Sequence, residues 1–338
     1  EERRIREAAR SVNVYLSSAR SRAIENQRPW GVAILRDANS PLSGVSLIQV
    51  EVPVPYAGDD INTSLQLSWN GTVDAQGIAT VTATRMSGSI SGGLIRLGDQ
   101  VQINAQGRIY TITAANGLDA GYVRASPPSG SDPDGFPLTL QTYLGRDGSG
   151  NPMTTLPWPA GGSGPVTFQI LRQPVPSSVA PLQLPRNTVL DLWYSGTAST
   201  PFSNTTTTST STPITTILFN STGAVDQVAA HNLGGSIRAL EPIYLMVGRR
   251  DRVNPDVTDT VTYTEQGVAI PQPRPVAEDG RTNLADLTNL WVAVNPQTGY
   301  VTCAEMANGL TTDDHGNEFF YLPLSRQFAR EFQSMGGR

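Results

Sequence analysis

The first 26 residues constrain this chain most. Between Glu1 and Asn26 the apolar residues Ile5, Ala9, Val12, Leu16, Ala19 and Ala23 recur every three or four positions, the period of an amphipathic helix. Ala8, Tyr15 and Ile24 widen the stripe, Arg3, Arg6, Arg10, Asn13, Ser17 and Arg20 lie largely away from it, and no Gly or Pro interrupts the run before Pro29. At about 1.5 Å per residue such a helix is roughly 39 Å long. Pro29, Trp30 and Gly31 end the helical pattern, and Val32, Ile34 and then Arg36 open a strand-like alternation. One long helix therefore feeds a β-rich body, and the ordinary role of its apolar face is to cover a sheet of the same chain.

Composition agrees with a β-rich body. Charged residues are only 16% of the 338, while Gly (32) and Pro (25) are plentiful, which favours many turns and short strands. A net charge of -5, with the basic residues scattered after the first helix, gives no electrostatic footprint for nucleic acid. The single cysteine, Cys303, allows no internal disulfide and leaves the redox compartment unread. No run of about 18 apolar residues spans a bilayer.

From Leu42 the pattern has period two, with Ile48, Val50, Val52 and Val54 on one face and Pro53 and Pro55 marking an edge strand. Leu65, Leu67 and Trp69 run into Asn70-Gly71, a strong hairpin signal. Strands are expected at 78–84, 94–97, 101–104, 108–113 and 138–143, forming a small sandwich or barrel, with 158–165 as a linker. Prolines punctuate extended backbone in 166–196, and the Ser/Thr tract 199–216 lacks apolar residues to pack and is expected to be a mobile loop. Strands resume at 217–219 and 243–247, and a pair at 290–294 and 300–304 flanks the Asn295-Pro296-Gln297-Thr298-Gly299 turn. Phe328 and Phe332, one helical turn apart, predict a short, weakly docking terminal helix. The expected division is 1–41, 42–164 as an inserted β-rich lobe, and 165–338.

Catalytic and metal signatures are missing. His231 and His315 stand in no spacing that nucleophilic or metal chemistry uses, and there is no G-x-S-x-G, P-loop, H-E-x-x-H or Cys pair. Asp132-Pro133-Asp134-Gly135 and Asp313-Asp314-His315-Gly316-Asn317-Glu318 hold oxygen ligands and a turn glycine, but neither completes a calcium-loop spacing, so solvated turns are the expectation. Sequons at Asn62, Asn70, Asn204 and Asn220 arise by chance in a Ser/Thr-rich chain. No catalytic residue, cofactor or metal site is expected, and the chain is read as a non-enzyme.

Glu7-Ala8-Ala9-Arg10 through Ala19-Arg20-Ser21-Arg22-Ala23-Ile24, followed by Arg28-Pro29-Trp30-Gly31-Val32, resembles the helix-to-first-strand segment of the minor pseudopilins of type II secretion and the FimT-like minor pilins. The block 170–192, Phe219-Asn220-Ser221-Thr222-Gly223-Ala224-Val225, and Trp291 to Val301 with its N-P-x-T-G turn resemble the β-body of that family. The segment 42–164 is far larger than the usual loop there. The resemblance implies an α+β, pilin-like fold: a long N-terminal helix on an antiparallel β-body, here with a large inserted all-β lobe. It implies a structural subunit of a cell-envelope filament or secretion apparatus whose partners are other pilin-like subunits, anchored in the inner membrane by an apolar helix absent from this sequence, with a periplasmic or extracellular body. A reading from a different class is a secreted carbohydrate-binding or carbohydrate-active β-protein, on the strength of Trp69, Trp158 and Trp193 among Gly/Pro-rich loops.

The apolar stripe starts within the first turn, with no Ser, Thr, Asp or Asn cap before Ile5. An upstream helical continuation would satisfy the amides of that turn. The expectation is a precursor carrying about 20 apolar residues ahead of Glu1, long enough to cross a bilayer. The upstream codons test it: a short basic leader, a Gly and then an apolar run opening with an aromatic and carrying a Glu at its fifth position is the expected result, and a signal peptidase site directly before Glu1 contradicts it.

Overall fold

The structure, a computed structural model, describes residues 2–105, 109–115, 118–119, 122–123, 138–151, 153, 165–197, 201–202, 215–230, 235–253, 260–265, 268–273 and 281–335. The expected linker 158–165 and the Ser/Thr tract 199–216 fall largely outside these residues. Of the tract, Thr215 and Thr216 begin a strand, Thr215–Phe219.

The chain divides into two compact units, Glu1–Glu51 with Pro176–Arg338, and Val52–Val175. The boundaries therefore lie at 52 and 175 rather than 42 and 164. The reason is strand pairing: Ser40–Glu51 is one continuous strand in register with Trp30–Asp37, and Phe168–Leu171 pairs with Gln100–Ile103 inside the second unit.

In the first unit, helix α1 (Glu2–Asn26) lies on an antiparallel sheet. The strand order is Gly235–Ile237, Val225–Ala230, Thr215–Phe219, Trp30–Asp37, Ser40–Glu51, Thr188–Thr197, Ile243–Arg249, Leu290–Val294 and Val301–Glu305. Successive strand residues face opposite sides, and both sides are used. Val32 and Ile34, Leu190 and Leu192, Ile217 and Phe219, Leu245 and Val247, and Val292 and Val294 pack with Ile5, Ala8, Ala9, Val12, Leu16, Ala19 and Ala23 of α1. Four alanines in that stripe leave room for close approach of helix to sheet. The alternate residues Tyr194, Tyr244, Met246, Trp291 and Ala293 pack instead with Leu322 and Ala329 of the terminal helices α2 (Leu322–Ser325) and α3 (Gln327–Met335). The architecture is helix, sheet, helix, and losing a fully buried side chain such as Leu16 to Ala costs about 3 kcal/mol.

Gln27 stops α1 in the left-handed region (φ 52), where its N–H reaches Ile24 O and the Arg28 N–H reaches Ala23 O, closing the last turn without a glycine. Gly31 then passes so close to the neighbouring strand that a Cβ would come 2.1 Å from Ile217 O. Arg20 donates through Nε to Gly223 O and Thr298 O, and the Val225 N–H bonds to Pro296 O, so the turns 220–223 and 295–299 meet beside the helix.

In the second unit six antiparallel strands follow the order Phe168–Leu171, Gln100–Ile103, Ile109–Ala115, Leu138–Tyr143, Ile78–Ser87, Ser64–Val73. Reciprocal bonds between Leu65 and Val166 bring the last strand back to the first, closing the sheet into a small barrel. Leu65, Leu67, Val81, Val101, Tyr110, Ile112, Leu140 and Ile170 fill it. Asn70-Gly71 is not the hairpin turn. It lies in an irregularity within Ser64–Val73, and the chain reverses at 74–77, where Asp74 Oδ1 accepts the Gln76 and Ile78 amides. Residues 94–97 are not a strand either: a short 3-10 turn, Gly92–Leu94, precedes a loop fastened by buried Asp99, which accepts the Arg96 and Gln173 amides.

The α+β, pilin-like class is overturned. Among the described residues the protein is mostly β, with 46% strand against 18% helix, in large antiparallel sheets. Period-two burial in many short segments buries apolar area by strand pairing and leaves α1 as one of two covering layers on a β-rich sheet. The terminal helix also docks by other residues than expected: Ala329 and Gln333 face inward while Phe328 and Phe332 face out.

The two apolar clusters share no residue. Replacing residues 52–175 by a short glycine linker should leave the first unit folded, with a cooperative thermal transition and near-ultraviolet dichroism from Trp291; loss of that transition would show that the first unit needs the barrel to fold.

Candidate functional site

Among the described residues, those singled out for chemistry do not converge. His231, Trp158, Asn204 and the Asp132–Asp134 turn lie outside the described residues. Asp313 spends its carboxylate on its own turn, accepting the His315 and Asn317 amides and the Asn317 side chain, which holds its pKa below the usual range. Asn220 does the same for Thr222 and Ala224. Trp69 donates its indole N–H to Thr72 O, and Trp193 is half-buried against packed side chains. Cys303 sits 3.5 Å from both Asn13 Nδ2 and Ala9 O, and burial raises its thiol pKa. Among the described residues no three His, Cys, Asp or Glu side chains are grouped to hold a metal, and no helix is long and apolar enough to cross a membrane.

A pocket of about 550 Å³ does form in the first unit, where α2 and α3 meet the strands Ile243–Arg249 and Leu290–Val294. Arg326, at the junction of α2 and α3, is the chemical centre of its wall. Only 3% exposed, it donates through Nη1 to Thr197 O (3.1 Å) and through Nη2 to Tyr194 O (2.6 Å). Its cation lies 4.7 Å from the Tyr244 ring centroid and 5.2 Å from that of Trp291. Among the described residues no carboxylate pairs with it, and its Nε has no hydrogen-bond partner. Desolvation lowers its pKa to about 10, so it stays charged at neutral pH. The helices around it are pinned by Trp291 Nε1 donating to Ser325 O and by Gln333 Nε2 donating to Ala293 O and Thr302 Oγ1.

A second buried polar cluster surrounds Asp191, which is 1% exposed. It sits at a register irregularity in Thr188–Thr197. Its Oδ2 accepts from Asn283 Nδ2 (2.9 Å) and its Oδ1 from the Trp193 amide (3.1 Å). Asn283 in turn accepts the Arg249 amide and the Asn289 side chain. Desolvation outweighs these bonds and raises the Asp191 pKa to about 6, and the Asp191 charge adds to burial in raising that of Tyr194. This carboxyl braces an irregular strand. Neither cluster was visible in the sequence, where Asp191 is a single charged residue between two leucines and Arg326 stands between Ser325 and Gln327 with nothing nearby to mark its burial.

A carboxyl moved from 3.8 to about 6 on folding destabilises the native state when ionised, by about 3 kcal/mol. The folded pKa is the higher one, so stability is greatest below about pH 4 for this group and falls as pH rises through 6. Lowering the pH from 7.5 to 5 should raise the melting temperature, and Asp191→Asn should flatten that rise whatever it does to stability at pH 7.5. Parallel melting profiles of the two proteins would contradict the assignment.

Comparison of the chain with family models, with curated proteins and with solved structures gives no match in any of the three.

Proposed function

We propose that this chain is a non-enzymatic structural subunit of a cell-envelope filament or secretion apparatus, working through protein contacts. The observation that carries the contact reading is the row Leu324, Phe328 and Phe332. These residues stand four apart along α2 and α3 and are 41%, 41% and 47% exposed, whereas Ser325, Ala329 and Gln333 of the same helices are buried. Large apolar side chains left exposed on these two terminal helices are shielded from water only when another surface meets them.

The class of assembly rests on the resemblance of residues 7–32 to the helix-to-strand segment of minor pseudopilins, and an envelope location and neighbouring subunits as partners follow from the same segment. On this reading exposed Arg3, Arg4 and Arg10 of α1 face other subunits or acidic lipid.

A photoreactive benzoylphenylalanine in place of Phe332, introduced in the source cell, should crosslink to a subunit of an envelope assembly, while the same probe at Ile61, fully exposed on the barrel, should not. Equal crosslinking from the two positions, or recovery of the chain with cytoplasmic proteins, would sink the proposal.

A further inference from the structure

The pocket beside Arg326 has no role in the contact reading, and its chemistry points to a ligand. Among the described residues that line it, two carry guanidinium groups, Arg326 and Arg330, and one a carboxylate, Glu241. A buried cation without a counter-charge is costly. Arg326 is offset only by two backbone carbonyls and two aromatic faces, and its buried Nε is left without a partner. Arg330, one turn further along α3, is exposed and makes no ion pair among the described residues. Asn295 uses its Oδ1 on the Gln297 and Thr298 amides, which leaves its side-chain NH₂ available to donate. The remaining wall is largely carbon, from Pro242, Tyr244 and Pro323. A pocket of about 550 Å³ with an apolar lining and a few convergent donors matches a small organic ligand.

We propose that this pocket binds the carboxylate of an apolar molecule, either a free small acid or the C-terminus of a peptide. The carboxylate pairs with Arg330 and accepts from Asn295, Arg326 supplies a fixed positive field behind it, and the apolar body lies on Tyr244 and the two prolines. This assignment does not depend on the filament reading, because Arg326, Arg330 and Gln333 occupy different helix positions from Leu324, Phe328 and Phe332.

Calorimetry and ligand-observed saturation-transfer NMR on the full chain test the assignment, with N-acetylphenylalanine, its C-terminal amide, and an acetylated tripeptide of two glycines ending in phenylalanine. The free acid should bind at least tenfold more tightly than the amide and weaken in 0.5 M sodium chloride. Arg330→Gln, at an exposed position, should keep the wild-type melting temperature and lose about tenfold in affinity, abolishing the preference for acid over amide. Arg326→Lys keeps the charge but loses the planar stacking; if it folds, it should retain part of the preference. Tighter binding of the tripeptide than of N-acetylphenylalanine identifies a peptide end as the natural source, and equal binding a free acid. Equal affinity for acid and amide, unchanged binding by Arg330→Gln, or no saturation transfer at 10 mM acid overturns the proposal.

Discussion

The first unit depends on a sheet that is buried on both sides. Strands such as Ile243–Arg249 and Leu290–Val294 place Leu245, Val247, Val292 and Val294 against α1, and Tyr244, Met246, Trp291 and Ala293 against the terminal helices. Each strand residue therefore has a fixed destination, because a one-residue slip in register would exchange the two layers. The alanines of α1 and the bulky Tyr244 and Trp291 on the far side show that the two covers are not interchangeable. One layer is thin and tightly apposed, the other thick and aromatic.

A sheet covered twice leaves little room for polar groups, and those that remain inside are handled by backbone and aromatic partners more than by ion pairs. Arg326 rests on two carbonyls and two rings. Arg36 reaches Phe202 O and Thr215 Oγ1 through one nitrogen only. Arg252 is the exception, paired with Asp286 in a buried bridge. Asp191 has amides around it and no ion pair among the described residues. Such groups add little net stability, because desolvation offsets most of what their bonds contribute. Their effect is to make local geometry single-valued: Asp191 and Asn283 fix the irregular strand, and Arg326 fixes where the terminal helices lie. The pocket lies where Arg326 ties the junction of α2 and α3 to the sheet, with Pro242 and Pro323 in its wall.

Several features were legible in the residues. The three-to-four-residue spacing of Ile5 through Ala23 marks α1 and its buried stripe, since a helical period is a local property of sequence. The N-P-Q-T-G turn was readable for the same reason, because Asn295 closes it with its own side chain. The closed β-lobe was readable as a series of short alternating strands, though not its order. Where local signals competed, the sequence misled. Asn70-Gly71 is a strong hairpin signal, yet Asp74 offers two amide bonds four residues later and the reversal happens there.

What the sequence by itself determined is the set of elements with a strong local period: the first helix, the alternating strands and the side-chain-closed turns. Tertiary structure alone decided which strands are neighbours, that Leu65 meets Val166 to close the barrel, and that α1 is one cover of a mostly β fold and not the spine of a pilin-like one. It also decided that Phe328 and Phe332 face outward while Ala329 docks, and that Arg326 and Arg330 line one pocket with Glu241. The physical reason is range. A periodic pattern acts over one or two turns of chain, whereas strand order and the burial of a lone charge depend on contacts between residues more than a hundred positions apart, such as Arg326 with Thr197 and Tyr194.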